Sequence, residues 1–157
     1  MQVYTVSFFG HRRICDPIRI ERRLEEVIKE LLLTKQYVEF LVGRDGDFDI
    51  IAASVIHRCK RKYRDDNSSL VWLLPYMTAD FRDNKEFYQE YYDEVEVFSA
   101  THYKSAFRQR NRDMVNRSHL AIFAVNKAEG GAYSTMKYAA AQRIEIINLY
   151  DILEDEK

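Results

Sequence analysis

The 157-residue chain is read as an α/β protein, a single Rossmann-like three-layer domain over residues 1–157 with a mostly parallel sheet. Three observations lead there. Short β-branched and aromatic runs alternate with longer segments whose apolar residues recur at helical spacing. Several of the runs, such as Leu70 to Leu74 and Leu120 to Val125, are apolar throughout, the pattern of strands covered on both faces. The five glycines fall at only three places, Gly10, Gly43 with Gly46, and Gly130-Gly131, each after a strand-like run and before a helix-like one. Those are the positions at which open α/β sheets bind ligands.

Taken in order, residues 2–9 form the first strand and end at Gly10. Asp16-Pro17 opens a helix, with Asp as the cap and Pro tolerated in the first turn; Leu24, Val27, Ile28, Leu31 and Leu32 carry its apolar face. Residues 37–42 are the second strand, and Phe48 to Cys59 the clearest amphipathic helix, capped by Asp47. A third strand at 70–74, a helix near 84–92, a short strand at 95–98 and a helix at 103–117 follow. Residues 120–125 form a buried strand, a helix runs from the glycine doublet to about Arg143, and residues 144–149 close the sheet.

Composition removes other classes. There are 24 Lys and Arg against 25 Asp and Glu, and a net charge of −1 disfavours nucleic acid as the partner, with a local basic patch as the open alternative. The opening MQVYTVSFFGHRR has no basic segment leading into a long apolar stretch, and no apolar run reaches membrane-spanning length. Cys15 and Cys59 match no CxxC spacing and are read as reduced thiols. A cytoplasmic protein without a membrane partner is expected. His57, His102 and His119 are scattered, so no metal site is proposed, and no cofactor is called for.

The strongest chemical signal is Glu129-Gly130-Gly131-Ala132-Tyr133-Ser134-Thr135. Glycines admit a ligand close to the backbone, and the first free N–H groups of the following helix favour a phosphate, with Ser134 and Thr135 as hydroxyl donors. A plain capped strand-to-helix turn uses the same residues. Arg110, on the preceding helix, offers a fork suited to phosphate or carboxylate, whereas Arg108 and Arg112 read as a solvated face. Gly10, His11, Gly43 and Gly46 frame the rest of the expected pocket. Asp45, Asp49 and Glu129 are candidates for a ribose contact or an acid role, with helix-dipole stabilisation as the plainer account of the two Asp residues. The basic run His57 to Arg64 suits a helix C-terminus, with a nucleic-acid contact as its alternative. The aromatic stretch Phe87 to Tyr92 reads as packing or a subunit contact rather than base stacking.

Arg110-Asn111-x-x-Met114, a buried strand, and then Gly-Gly-x-x-Ser/Thr opening a helix resemble the SLOG superfamily, which joins SMF/DprA domains, LOG-type phosphoribohydrolases and nucleotide-sensing domains. Phe9-Gly10-His11-Arg12 and Gly43-x-x-Gly46-x-Phe48-Asp49-x-x-Ala52-Ala53 resemble its smaller YpsA-like branch. The resemblance implies a Rossmann-like nucleotide pocket, and a homo-oligomer is compatible with it. LOG enzymes carry a catalytic Glu after their glycine motif; the matching position here is Tyr138, and a phenol cannot replace a carboxylate facing oxocarbenium-like charge. Catalytic residues are therefore not assigned. The leading expectation is a domain that binds or senses a nucleotide-derived small molecule, with its phosphate on Gly130-Gly131 and Arg110. A nucleotide N-glycosidic hydrolase or transferase is the alternative, and a DNA-processing SMF/DprA-like protein the weaker one.

Overall fold

Strand β1 (Val3–Gly10) lies inside the sheet, and every other element is placed relative to it. The computed structural model describes residues 2–151. From β1 the chain runs through α1 (Pro17–Thr34), β2 (Tyr37–Val42), α2 (Asp47–Lys62), β3 (Ser68–Leu74), α3 (Ala79–Asp83), α4 (Lys85–Tyr91) and β4 (Glu94–Val97). It then continues through α5 (Ala106–Arg117), β5 (Leu120–Ala124), α6 (Gly131–Ala141) and β6 (Glu145–Asn148). The six strands are ordered β4-β3-β2-β1-β5-β6, and every pairing is parallel. The chain builds outward from β1 to β4, then returns to the other side of β1. The strand order thus reverses between β1 and β5, which opens a crevice at their carboxyl ends.

The strands' period-2 alternation divides the core in two. Val6, Phe8, Phe40, Leu70, Trp72 and Ile122 point to the layer of α1 and α2, where Ile20, Leu24, Ile28, Val55 and Ile56 meet them. Phe9, Leu41, Val71, Leu73 and Phe123 point the other way, against Met114 and Val115 of α5 and Ala139 of α6. With helices on both faces the domain has three layers. No helix among the described residues is long and apolar enough to cross a membrane.

Some local expectations are corrected. Asp16 precedes α1 in a left-handed conformation, φ 54°, and its side chain makes no cap bond. Asp47 does not cap α2; the cap position is Gly46, and the Asp47 carboxylate accepts instead from the Ile14 N–H at 3.4 Å. The single helix expected near 84–92 is preceded by a separate turn of helix, α3, capped by the Thr78 hydroxyl, which accepts from the Phe81 N–H at 3.1 Å.

The basic run at the end of α2 is occupied structurally. Arg58 bonds Glu21 at 2.6 Å and Glu25 at 2.8 Å, and Lys60 reaches Asp93 at 3.2 Å. Hydrogen bonds from Arg58 and Tyr63 hold the Glu25 carboxyl down at about 2. This network pins α1 to α2. Tyr88 and Tyr92 of the aromatic stretch pack on Trp72, with ring centroids at 4.9 and 5.2 Å, so that stretch closes the core beyond β3. His119 is likewise structural: its Nδ1 accepts from the Thr5 N–H at 3.0 Å.

Candidate functional site

The carboxyl ends of β1, β2 and β5 surround a cleft of about 300 Å³. Gly10, His11 and Arg12 come from the end of β1, while Gly43, Asp45, Gly46 and Asp49 come from β2 and the start of α2. Gly130, Gly131 and Ala132 open α6, and Phe107, Arg110, Asn111 and Met114 come from α5. All three glycine places, together with Arg110, His11, Asp45 and Asp49, thus meet in one cavity.

The glycines have different reasons to be there. A Cβ on Gly10 would stand 2.4 Å from the Phe48 Cβ, and one on Gly46 would stand 2.5 Å from the Arg12 Cα. Both are spacers that let the β1 loop lie on the first turn of α2. A Cβ on Gly43 would press to 3.0–3.2 Å on the side chains of Asp45, Asp49 and Arg110. Gly130 has φ +91°, a left-handed-side conformation that L side chains rarely adopt. Around Gly131 nothing lies within 4 Å of a built Cβ, so no internal contact calls for glycine.

A hydrogen-bonded chain crosses the cleft floor. Arg110 is 3% exposed. Its Nη1 donates to the Leu73 carbonyl at 3.0 Å, its Nε to Asn111 Oδ1 at 3.2 Å, and its Nη2 to Asp45 Oδ2 at 2.5 Å. The Asp45 N–H in turn donates to Asp49 Oδ2 at 2.9 Å. On the other side Asn111 Nδ2 donates to Thr135 Oγ1 at 3.3 Å, and Thr135 donates to the Gly131 carbonyl at 2.9 Å. Thr135 is therefore a buried strut joining α6 to α5 rather than a hydroxyl facing the cleft. Ser134 is exposed and lies outside the lining, as does Glu129. Tyr138 donates to Asn116 at 2.7 Å and also lies outside the lining.

The arrangement limits what Arg110 can do. Most of its N–H groups are committed to the protein, so it acts as a neutralising brace under the cleft more than as a free phosphate fork. His11 Nε2 accepts from the Asn126 N–H at 3.3 Å. Burial, followed by the Lys127 charge, lowers its pKa against the opposing pull of Glu129. A neutral imidazole is thus part of the rim. Arg44 turns away from the floor to Tyr92, at 3.0 Å from its hydroxyl.

Burial raises the Asp49 carboxyl from 3.8 to about 7, against the hydrogen bond from the Asp45 N–H; the Asp45 charge adds repulsion and Arg110 opposes it. Between those values the folded chain holds a proton that the unfolded chain has released, so raising the pH works against folding. Stability is expected to fall by on the order of a few kcal/mol as pH rises from 4 through 7, and Asp49→Asn to remove that slope. Urea titrations at pH 5 and 8 read the difference.

Sequence reasoning singled out the glycines but not Phe107 as a wall of the cleft. Phe107 is 38% exposed, and its ring lies 5.5 Å from the Arg110 guanidinium carbon. The signal was its position three residues before Arg110, which puts both on one side of α5. Asn111 was visible only as part of the Arg-Asn pair. Among the described residues no group of three His, Cys, Asp or Glu side chains converges on a metal position.

No protein-family profile matches the chain, and no curated protein sequence matches it. Solved structures do. DNA processing protein A from Streptococcus pneumoniae superposes with a TM-score of 0.66 at 17% identity, over 92% of this chain and 49% of that one. DNA processing protein A from Helicobacter pylori, described for its single-stranded DNA binding mode, superposes with a TM-score of 0.64 at 15% identity, over 98% of this chain and 72% of that one. The chain therefore spans about half the length of the first neighbour.

These neighbours overturn the expectation of a nucleotide-derived small molecule as partner with nucleic acid disfavoured, because a protein of this fold binds single-stranded DNA. That expectation leaned on the net charge of −1, a whole-molecule average. Locally, no acid occurs between Glu96 and Asp113, a stretch that holds Lys104, Arg108, Arg110 and Arg112. The YpsA-like branch has no counterpart among these structures. What the superpositions establish is architecture: the chain has the Rossmann-like fold of DNA processing protein A.

Proposed function

We propose that this chain is a single nucleic-acid-binding domain that takes single-stranded DNA across the cleft at the β1/β5 switch point. The observation that carries the reading is the open first turn of α6: Gly131 has no internal need to be glycine, yet its backbone faces the cleft. A backbone phosphate set there receives the free N–H groups of the helix start and the positive end of its dipole. One base then enters the cleft against Phe107, where an aromatic face stacks any base. Below it, Asn111 and the carboxyls of Asp45 and Asp49 present hydrogen-bonding groups to the base edge or sugar. The braced Arg110 keeps the floor from being a bare pair of acids that would repel a polyanion. The Phe9-Gly10-His11-Arg12 motif supports placing the domain in the smaller YpsA-like branch of the SLOG superfamily.

Gly131→Ala is the discriminating variant. It is expected to fold normally, with stability within about 1 kcal/mol of the parent. Its methyl group occupies the space a phosphate needs, so affinity for a labelled oligothymidylate should fall at least roughly tenfold, about 1.4 kcal/mol. Fluorescence anisotropy over a range of salt checks it. The parent's affinity should fall with salt, as phosphate contacts require. Absence of binding by the parent, or equal binding by Gly131→Ala, rejects the reading.

A further inference from the structure

Beyond the cleft, at the end of β3, the chain leaves the sheet through Pro75 and Tyr76, and the short 3-10 turn Tyr103–Ser105 packs beside it. The rings of Tyr76 and Tyr103 lie 4.5 Å apart at 39°, and the Tyr103 hydroxyl donates to the Tyr76 hydroxyl at 3.2 Å. Tyr76 stands edge-on to Phe107 at 5.8 Å, and Phe107 is a wall of the cleft. Three rings thus step from the cleft onto the surface. The outermost, Tyr103, is 71% exposed, so it contributes little to the core. Its ring is nevertheless held in place by the hydroxyl pair and the neighbouring face. Such preorganisation reduces the entropy lost when a partner stacks on it.

The charges beside the rings indicate what that partner is. Lys104 and Arg108 flank Tyr103 and Phe107 in sequence, and neither makes an ion pair among the described residues. A polyanion laid over the rings satisfies both cations.

We propose that Tyr103, steadied by Tyr76, is a second base-stacking position for single-stranded DNA, taking a base next to the one held at Phe107. This rests on the cleft being a single-stranded DNA site. An aromatic face accepts every base, so the position adds affinity without adding sequence preference.

The test compares a labelled oligothymidylate with an abasic strand of equal length, for the parent, Tyr103→Ala, Tyr103→Trp and Gly131→Ala. Tyr103→Ala should weaken oligothymidylate binding about tenfold. It should leave abasic binding and the salt slope unchanged, and Tyr103→Trp should restore affinity. If Tyr103→Ala binds like the parent while Gly131→Ala does not, stacking is overturned and the cleft reading stands. Equal weakening toward both strands also overturns it, because that loss would not involve the bases. If sedimentation shows that Tyr103→Ala dissociates a dimer with DNA affinity unchanged, the rings are a subunit contact. A parent that binds neither strand removes the cleft reading, and this proposal with it.

Discussion

Arg110→Ala is expected to cost about 3–5 kcal/mol of folding stability, lowering Tm by roughly 10 °C. The side chain is 3% exposed, and its loss strands the Asp45 carboxylate and the Leu73 carbonyl, both of which it now satisfies. Asp49 would also lose the cation that opposes the upward push of burial on its carboxyl. Thermal and urea denaturation measure the loss. Adding Asp45→Asn should recover a large part of it, since the stranded charge is then gone. A loss under about 1 kcal/mol would show that the guanidinium is not the brace of the cleft floor. The size of the effect also makes Arg110→Ala a poor probe of binding, because the floor changes with it.

Gly10→Ala is expected to be nearly as damaging, on the order of 3 kcal/mol, although it adds only a methyl group. That methyl would meet the Phe48 Cβ at 2.4 Å and Cγ at 2.5 Å, so β1 and the first turn of α2 must separate. Trimming the ring with Phe48→Ala should not rescue it, because the closest atom is the Phe48 Cβ itself. Denaturant midpoints of the single and double variants settle this; full rescue by Phe48→Ala would mean that the ring alone sets the spacing. Gly131→Ala should be silent in the same assay. Two glycines around one cleft thus separate a packing need from a binding one.

Much of the fold was legible because it depends on local pattern. Leu120 to Val125 is apolar on both sides and so reads as an interior strand, and the helical spacing from Phe48 to Cys59 locates α2. What failed were features decided by distant parts of the chain. Asp47 is a residue type that caps helices, but the Ile14 N–H, from the loop after β1, reaches its carboxylate and the cap position is Gly46. Arg110 looked like a free fork because nothing nearby in sequence reveals that Asp45 arrives at its Nη2. Thr135 looked like a ligand donor, but its hydroxyl proton goes to the Gly131 carbonyl while its oxygen accepts from Asn111 on another helix. The glycine positions pointed to the place, while their separate duties emerged only from neighbours brought in by the fold. Net charge misled for a related reason: the acids that balance it lie outside the stretch from Val97 to Arg112.

The one tryptophan, Trp72, sits on β3 among Phe81, Tyr88 and Tyr92, and is 6% exposed. Tyr92, one of its neighbours, accepts a hydrogen bond from Arg44, the residue after Gly43 at the cleft edge. The molecule therefore carries a built-in fluorophore, with blue-shifted emission when folded and a red shift when the aromatic cluster opens. The Arg44–Tyr92 bond and the Arg110–Leu73 bond, one residue along β3, tie it to the cleft, so emission should respond to movement of the β2–α2 loop and of the cleft floor. Unfolding and loop motion can thus be followed in the unmodified chain, without a label near the glycines.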